Sequence, residues 1–141
     1  MRFIDSSVFL HAFLKPRRRL SPREATIKAE AKRIIKRIDE EEENVATTVV
    51  HLSEVVNIIE SRHGLQKSLS FLARILKLEN VEVLGVTARD YEKALIFSEK
   101  YYVSINDALA YVKMVGSGVN EIYTFDRHFK NIPGIIILPK V

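Results

Sequence analysis

The stretch MRFIDSSVFLHAFL, residues Met1 to Leu14, decides the fold class. Arg2–Ile4 is a short apolar run of strand length, and Phe9, Leu10 and Phe13 then recur at helical spacing up to Leu14. Pro16 stops that helix, since proline lacks an N–H and its ring clashes with the preceding turn. Between strand and helix stands an acid, Asp5, followed by Ser6 and Ser7. A strand that passes directly into a helix through a polar hinge opens a βα unit. The stretch is also too short to span a bilayer, carries an acid inside its apolar run, and lacks the charged start and small-residue cleavage site of a signal peptide. No targeting segment and no membrane span is expected.

Working outward, the same unit repeats. Asn44–Thr47, Val81–Leu84, Glu121–Phe125 and Ile135–Leu138 are further runs of strand length. Between them, a helix from about Pro22 to Glu42 carries Ile27, Ala31, Ile34, Ile35 and Ile38 on one face. Another is capped near Thr48, carries Leu52, Val55, Val56 and Ile59, and ends at Gly64. Three more follow: Leu65–Leu78, one capped by Thr87 to about Tyr102, and one capped by Ser104 that reaches a Gly116-Ser117-Gly118 loop. Strands alternating with helices predict an α/β fold, with a central, mainly parallel five-stranded sheet flanked by helices on both faces. With 141 residues, 47% of them hydrophobic, the chain suits one domain over 1–141. The absence of cysteine leaves no disulfide and no thiolate metal site, and fits a cytoplasmic protein.

In such sheets ligands sit beyond the carboxyl ends of the strands. The first strand delivers Asp5 to that edge, and EIYTF delivers Thr124 and Asp126 to the same kind of edge; if strand geometry persists, those two side chains share a face. Each acid also has an ordinary explanation. Asp5 and Asp126 could be N-caps. Glu54 lies off the apolar stripe of its helix, where a solvated glutamate is the default, though Ser53 and Asn57 give that side a polar border. Ser104-x-x-Asp107 has capping-box spacing, as does Thr87-x-x-Asp90. Asp90 is surrounded by Arg89, Glu92 and Lys93 and is assigned to capping. Asp107 instead lies between Ile105 and the apolar Ala108–Val112, where a buried charge needs a partner.

The formal net charge of +4 permits a polyanionic partner without demanding one. Lys15, Arg17, Arg18, Arg19 and Arg23 crowd one Pro-bounded segment, and Lys28, Lys32, Arg33, Lys36 and Arg37 follow on the next helix. Arg17, Arg18 and Arg19 are candidates for RNA or partner binding; a solvated helix face closed by the acidic run Asp39 to Glu43 is the alternative.

IDSSVFLHAF from Ile4, SEVVNII from Ser53, INDALAYVKM from Ile105 and TFDRHF from Thr124 together resemble the PIN-domain family, in that family's order and across nearly the whole chain. The family includes toxins of VapBC toxin–antitoxin pairs and nucleases of RNA processing. The resemblance implies a ribonuclease whose core acids are Asp5, Glu54 and Asp107, with Asp126 as the more variable fourth and Ser6 and Thr124 as hydroxyls beside the metals. It also implies RNA as substrate, a VapB-like antitoxin as partner, and a homodimer. The basic Lys15–Arg37 region is longer than in compact toxins.

Two charges ~4 Å apart repel by about 4 kcal/mol at an effective dielectric of ~20, so such acids call for a divalent cation. All-oxygen ligands favour Mg²⁺ or Mn²⁺. His11, His51, His63 and His128 lack zinc-site spacing and read as structural or surface residues. No nucleophilic side chain is expected, since there is no cysteine and no base is evident near Ser6. A receiver-type phospho-acceptor domain would need an acidic pair on the first strand, and a haloacid-dehalogenase-type phosphatase would need DxD where Asp5-Ser6-Ser7 stands. The stronger rival is a PIN fold used as an RNA- or protein-binding module with little catalysis.

Overall fold

A computed structural model describes all residues, Met1–Val141. Its five strands are β1 (Arg2–Ile4), β2 (Val45–Thr48), β3 (Val81–Leu84), β4 (Glu121–Tyr123) and β5 (Ile136–Leu138). The six helices are α1 (Ser6–Phe13), α2 (Pro22–Asp39), α3 (Val49–His63), α4 (Leu65–Lys77), α5 (Ala88–Tyr101) and α6 (Ile105–Ser117), and a short 3₁₀ helix spans Arg127–Asn131. The strands form one sheet in the order β3-β2-β1-β4-β5, every neighbouring pair parallel.

The expected α/β class, parallel sheet and two-sided helix cover are therefore present, and β1 is central. Period-2 alternation explains how strands of three or four residues feed two cores. Ile4, Val45 and Tyr123 pack with α1–α4 on one face, whereas Phe3, Ala46 and Ile122 pack with α5, α6 and Phe129 on the other. The expected boundaries shift at several ends. α2 stops at Asp39, three residues short of Glu42. α6 continues through Gly116 and Ser117, where the sequence suggests a loop, and is capped by Gly118 in the left-handed region at φ 69°. No helix is long and apolar enough to cross a membrane.

The chain runs β1-β2-β3 to one side of the first strand and then returns to build β4-β5 on the other. The switch of direction lies between β1 and β4, and a crevice forms beyond the carboxyl ends of two such strands. Asp5 leaves one of them and Thr124–Asp126 leave the other.

Candidate metal centre

Asp5 is the N-cap of α1, so the capping explanation is correct as far as it goes. Its Oδ2 accepts from the Ser7 backbone N–H at 3.4 Å, the Ser7 hydroxyl at 2.7 Å and the Thr124 hydroxyl at 2.8 Å. One carboxylate oxygen is thus pinned while the group lines a cavity of about 350 Å³. Ser7, which sequence reasoning did not single out, ties the two central strands together, since the Phe125 N–H donates to its hydroxyl at 3.1 Å. Its place two residues after an N-cap acid was the available signal.

β4 ends at Tyr123, earlier than expected, so strand alternation does not carry Asp126 to the site. A side-chain turn does so instead: the Asp126 N–H donates to the Thr124 hydroxyl oxygen at 3.0 Å. Asp126 then caps the 3₁₀ helix by accepting from the His128 N–H at 2.9 Å. His128 is exposed, as expected, yet its Nδ1 lies 2.9 Å from the Asp126 carboxylate. Donor atoms of Asp107, Asp126 and His128 all fall within 4.8 Å of one another. A lone histidine with no metal-site spacing gave no hint of this.

Glu54 reaches the cavity from α3 and accepts from the Ser6 hydroxyl at 2.7 Å. The expectation that Ser6 has no base nearby is therefore corrected. The cause is topological: α1 packs on α3, which brings together residues 48 apart in sequence.

The two acids with capping-box spacing behave differently. Asp90 completes a reciprocal box with Thr87 and also accepts from Lys113 at 3.2 Å, and its carboxyl is held below the usual range, chiefly by the Thr87 N–H. The Asp107 N–H donates to the Ser104 hydroxyl oxygen at 3.3 Å, but its carboxylate does not return to the Ser104 backbone N–H to complete a box. It is buried at the cavity floor, and its pKa is pushed up to about 8, first by loss of solvation, then by the charges of Asp126 and Asp5. Unlike charges that have found partners, this one is held against its neighbours.

The turn bearing Asp107 is braced by His51. This residue is 1% exposed; Thr48 lies 2.7 Å from its Nδ1, and the Asn106 carbonyl lies 3.1 Å from its Nε2. Because a carbonyl only accepts, Nε2 carries the proton and Thr48 donates to Nδ1. Burial lowers the pKa of the ring and keeps it neutral.

Asp5, Ser6, Glu54, Asp107 and Asp126 thus line one cavity, and Thr124 supports it from beneath. Arg17, Arg18 and Arg19 are exposed and do not line it, and Arg18 is paired with Glu24 at 2.8 Å. The PIN domain family model matches residues 2–135. The chain belongs to the PIN domain family. This PIN domain superposes on VapC20 of Mycobacterium tuberculosis, a sarcin–ricin loop cleaving toxin, with a TM-score of 0.73 and 23% identity over 94% of this chain and 95% of that one. A toxin–antitoxin complex from Klebsiella pneumoniae matches at TM-score 0.65 and 16% identity, covering 96% of each chain. VapBC2 of Rickettsia felis, bound to a promoter DNA fragment, matches at 0.64 and 15%, again over 96% of each. At these identities the likeness is one of fold. No curated protein matches the chain by sequence.

Proposed function

We propose that this PIN domain is a divalent-metal-dependent endoribonuclease, the toxin component of a VapBC-type pair, leaving 5′-phosphate and 3′-hydroxyl ends. The supporting observation is the set of carboxylates around one cavity at the strand switch, with Asp107 kept near pKa 8 by burial and like charge. Perturbed acids in a cleft are a mark of functional sites. A module used only for binding RNA would have no use for such crowding, because it repels phosphate.

The donor set suits a hard cation such as Mg²⁺ or Mn²⁺. Asp5 and Asp107 would be the central ligands, Glu54 and Asp126 the supporting ones, with His128 within reach. When bound, the cation offsets the carboxylate charge and makes a water nucleophilic near neutral pH. The protein's own part is positional. Ser7 and Thr124 fix Asp5 by one oxygen, Ser6 fixes Glu54, and His51 holds the turn of Asp107. In the hydrolysis, water oxygen forms the new bond to phosphorus as the bond to O3′ breaks, and no serine is covalently modified.

An antitoxin partner belongs to the same reading, supported by toxin–antitoxin complexes among the structural neighbours, and a homodimeric state and a cytoplasmic location are proposed with it. The test is cleavage of RNA by purified protein with Mg²⁺ or Mn²⁺, followed by end-group analysis. No cleavage with either ion, against full cleavage by a known ribonuclease on the same RNA, overturns the reading.

A further inference from the structure

Next to the acid cavity lies a larger one of about 600 Å³, and Thr124, Phe125 and Asp126 form part of its wall. Asp126 lines both cavities, so the two join at this residue. Four cations surround the second: Arg23 from the start of α2, Arg127 and Lys130 from the 3₁₀ helix, and Lys140 after β5. None of the four makes an ion pair or a side-chain hydrogen bond. Arg2, Arg18, Arg33, Arg37, Arg74 and Lys113 are engaged with acids. Lys28 likewise is held by the carbonyls of His11 and Leu14. Other unpaired cations, such as Lys67, Lys77, Arg89 and Lys93, line neither cavity. Four unpaired cations therefore meet where the fold brings residues more than a hundred positions apart onto one rim. Between them the lining is apolar: Ile27, Phe125, Ile137 and Pro139.

We propose that this basic cavity is the binding site for the single-stranded RNA segment that flanks the cleaved bond, with Arg23, Arg127, Lys130 and Lys140 neutralising its phosphates and the apolar wall facing its bases. The inference rests on the ribonuclease reading for the bond that is cut, but it makes a separate claim about where the strand lies. Charged rims with apolar or aromatic walls are how single strands are held without base pairing. The acid cavity cannot hold flanking phosphates itself, since its carboxylates repel them; a polyanion that passes Asp126 meets favourable charge in the basic cavity. An acidic protein segment would satisfy the cations but leave the apolar wall unused.

The test is fluorescence anisotropy with a fluorescein-labelled twelve-nucleotide oligouridylate, in EDTA, using the full chain with Asp107→Asn so that the RNA stays intact. Combined Arg23→Gln, Arg127→Gln, Lys130→Gln and Lys140→Gln should weaken binding by about tenfold or more and reduce the slope of log affinity against log salt by roughly 2 to 3, at ~0.7 for each phosphate that is no longer neutralised. A control of equal charge, Lys67, Lys77, Arg89 and Lys93 each changed to Gln, should reduce the slope far less. If the quadruple variant does not fold, the exposed pair Arg127→Gln and Lys140→Gln serves, with about half the effect on slope. Equal losses in variant and control overturn the site. Displacement of the RNA by poly-glutamate as readily as by unlabelled oligouridylate overturns RNA as the ligand. Cleavage is read separately on the parent chain, so a protein that cuts RNA yet binds it equally well without these cations refutes the cavity alone.

Discussion

Replacing Asp107 with Asn separates a metal ligand from a helix cap by the sign of its effect on stability. The folded protein holds the Asp107 proton more tightly than an unfolded chain does, with the pKa raised from 3.8 to about 8. Between those values the folded state binds the extra proton, so folding stability falls as pH rises through about 4 to 8 and is unaffected below that window. At about 1.4 kcal/mol per tenfold change in proton affinity, the ceiling of this loss is roughly 6 kcal/mol. The carboxylate faces an open cavity, and solvent screening brings the working figure nearer about 2 kcal/mol. Asp107→Asn keeps the size of the side chain and removes the charge. In EDTA at pH 8 it should therefore melt higher than the parent by roughly 6 °C, and the two should converge near pH 4.

Asp90→Asn is the control. Its carboxyl lies below the usual range, held by the Thr87 N–H and by Lys113, so the substitution should cost about 1 kcal/mol. Mn²⁺ at a hundred times its dissociation constant should stabilise the parent and Asp90→Asn by about 2.7 kcal/mol each and Asp107→Asn far less. Cleavage should persist in Asp90→Asn and disappear in Asp107→Asn. Melting scans across pH, with and without Mn²⁺, and a gel assay on RNA supply all these readouts. A folded Asp107→Asn protein that melts below the parent at pH 8, or that cuts RNA at the parent rate, would refute the reasoning.

Glu54→Gln should keep the Ser6 hydrogen bond and the fold while lowering the cleavage rate by about a hundredfold, the scale of losing one electrostatic group from a preorganised site; a rate within a factor of two of the parent removes Glu54 from the machinery. His51→Ala should cost about 2–4 kcal/mol in denaturant unfolding, because it opens a cavity in the core and removes the side-chain hydrogen bond to the Asn106 carbonyl. A cost under about 0.5 kcal/mol would show that the brace contributes nothing. Neutralising Arg17, Arg18 and Arg19 together should lower RNA or antitoxin affinity and its salt slope; if both stay unchanged, these arginines are solvated surface.

The legible features of the sequence were those with a local cause. The apolar runs gave the strands, and Thr48, Thr87 and Ser104 cap helices where expected. Asp90 and Asp107 have the same spacing, and only the charged surroundings of one and the apolar run after the other told them apart. What stayed hidden depends on contacts between distant segments. The turn at Thr124 replaces the last part of an expected strand because Ser7, 118 residues earlier, takes the Phe125 N–H. His128 acquires acid neighbours only through that turn, and the basic cavity exists only because Arg23 and Lys140 meet across the fold. The crowded arginines at 17–19, prominent in the sequence, lie away from the acids for the same reason.

The acid cluster persists because the fold gives it no route to relax. Asp107 sits in the first turn of α6, where the unpaired N–H groups favour negative charge, yet that turn cannot swing outward to separate the carboxylates. Ala108, Leu109 and Ala110 are fully buried directly behind it, and His51 ties the Asn106 carbonyl from the other side. Asp5 is equally constrained by three hydrogen bonds to one oxygen. Loss of solvation, joined by repulsion that movement cannot relieve, appears as a retained proton, and the raised pKa of Asp107 reports it. A cation entering the cavity competes with it, so affinity for the metal should increase with pH up to about 8 even as the metal-free fold weakens. Those opposed trends have a common origin in the buried helix behind Asp107, and loosening that helix should diminish both together.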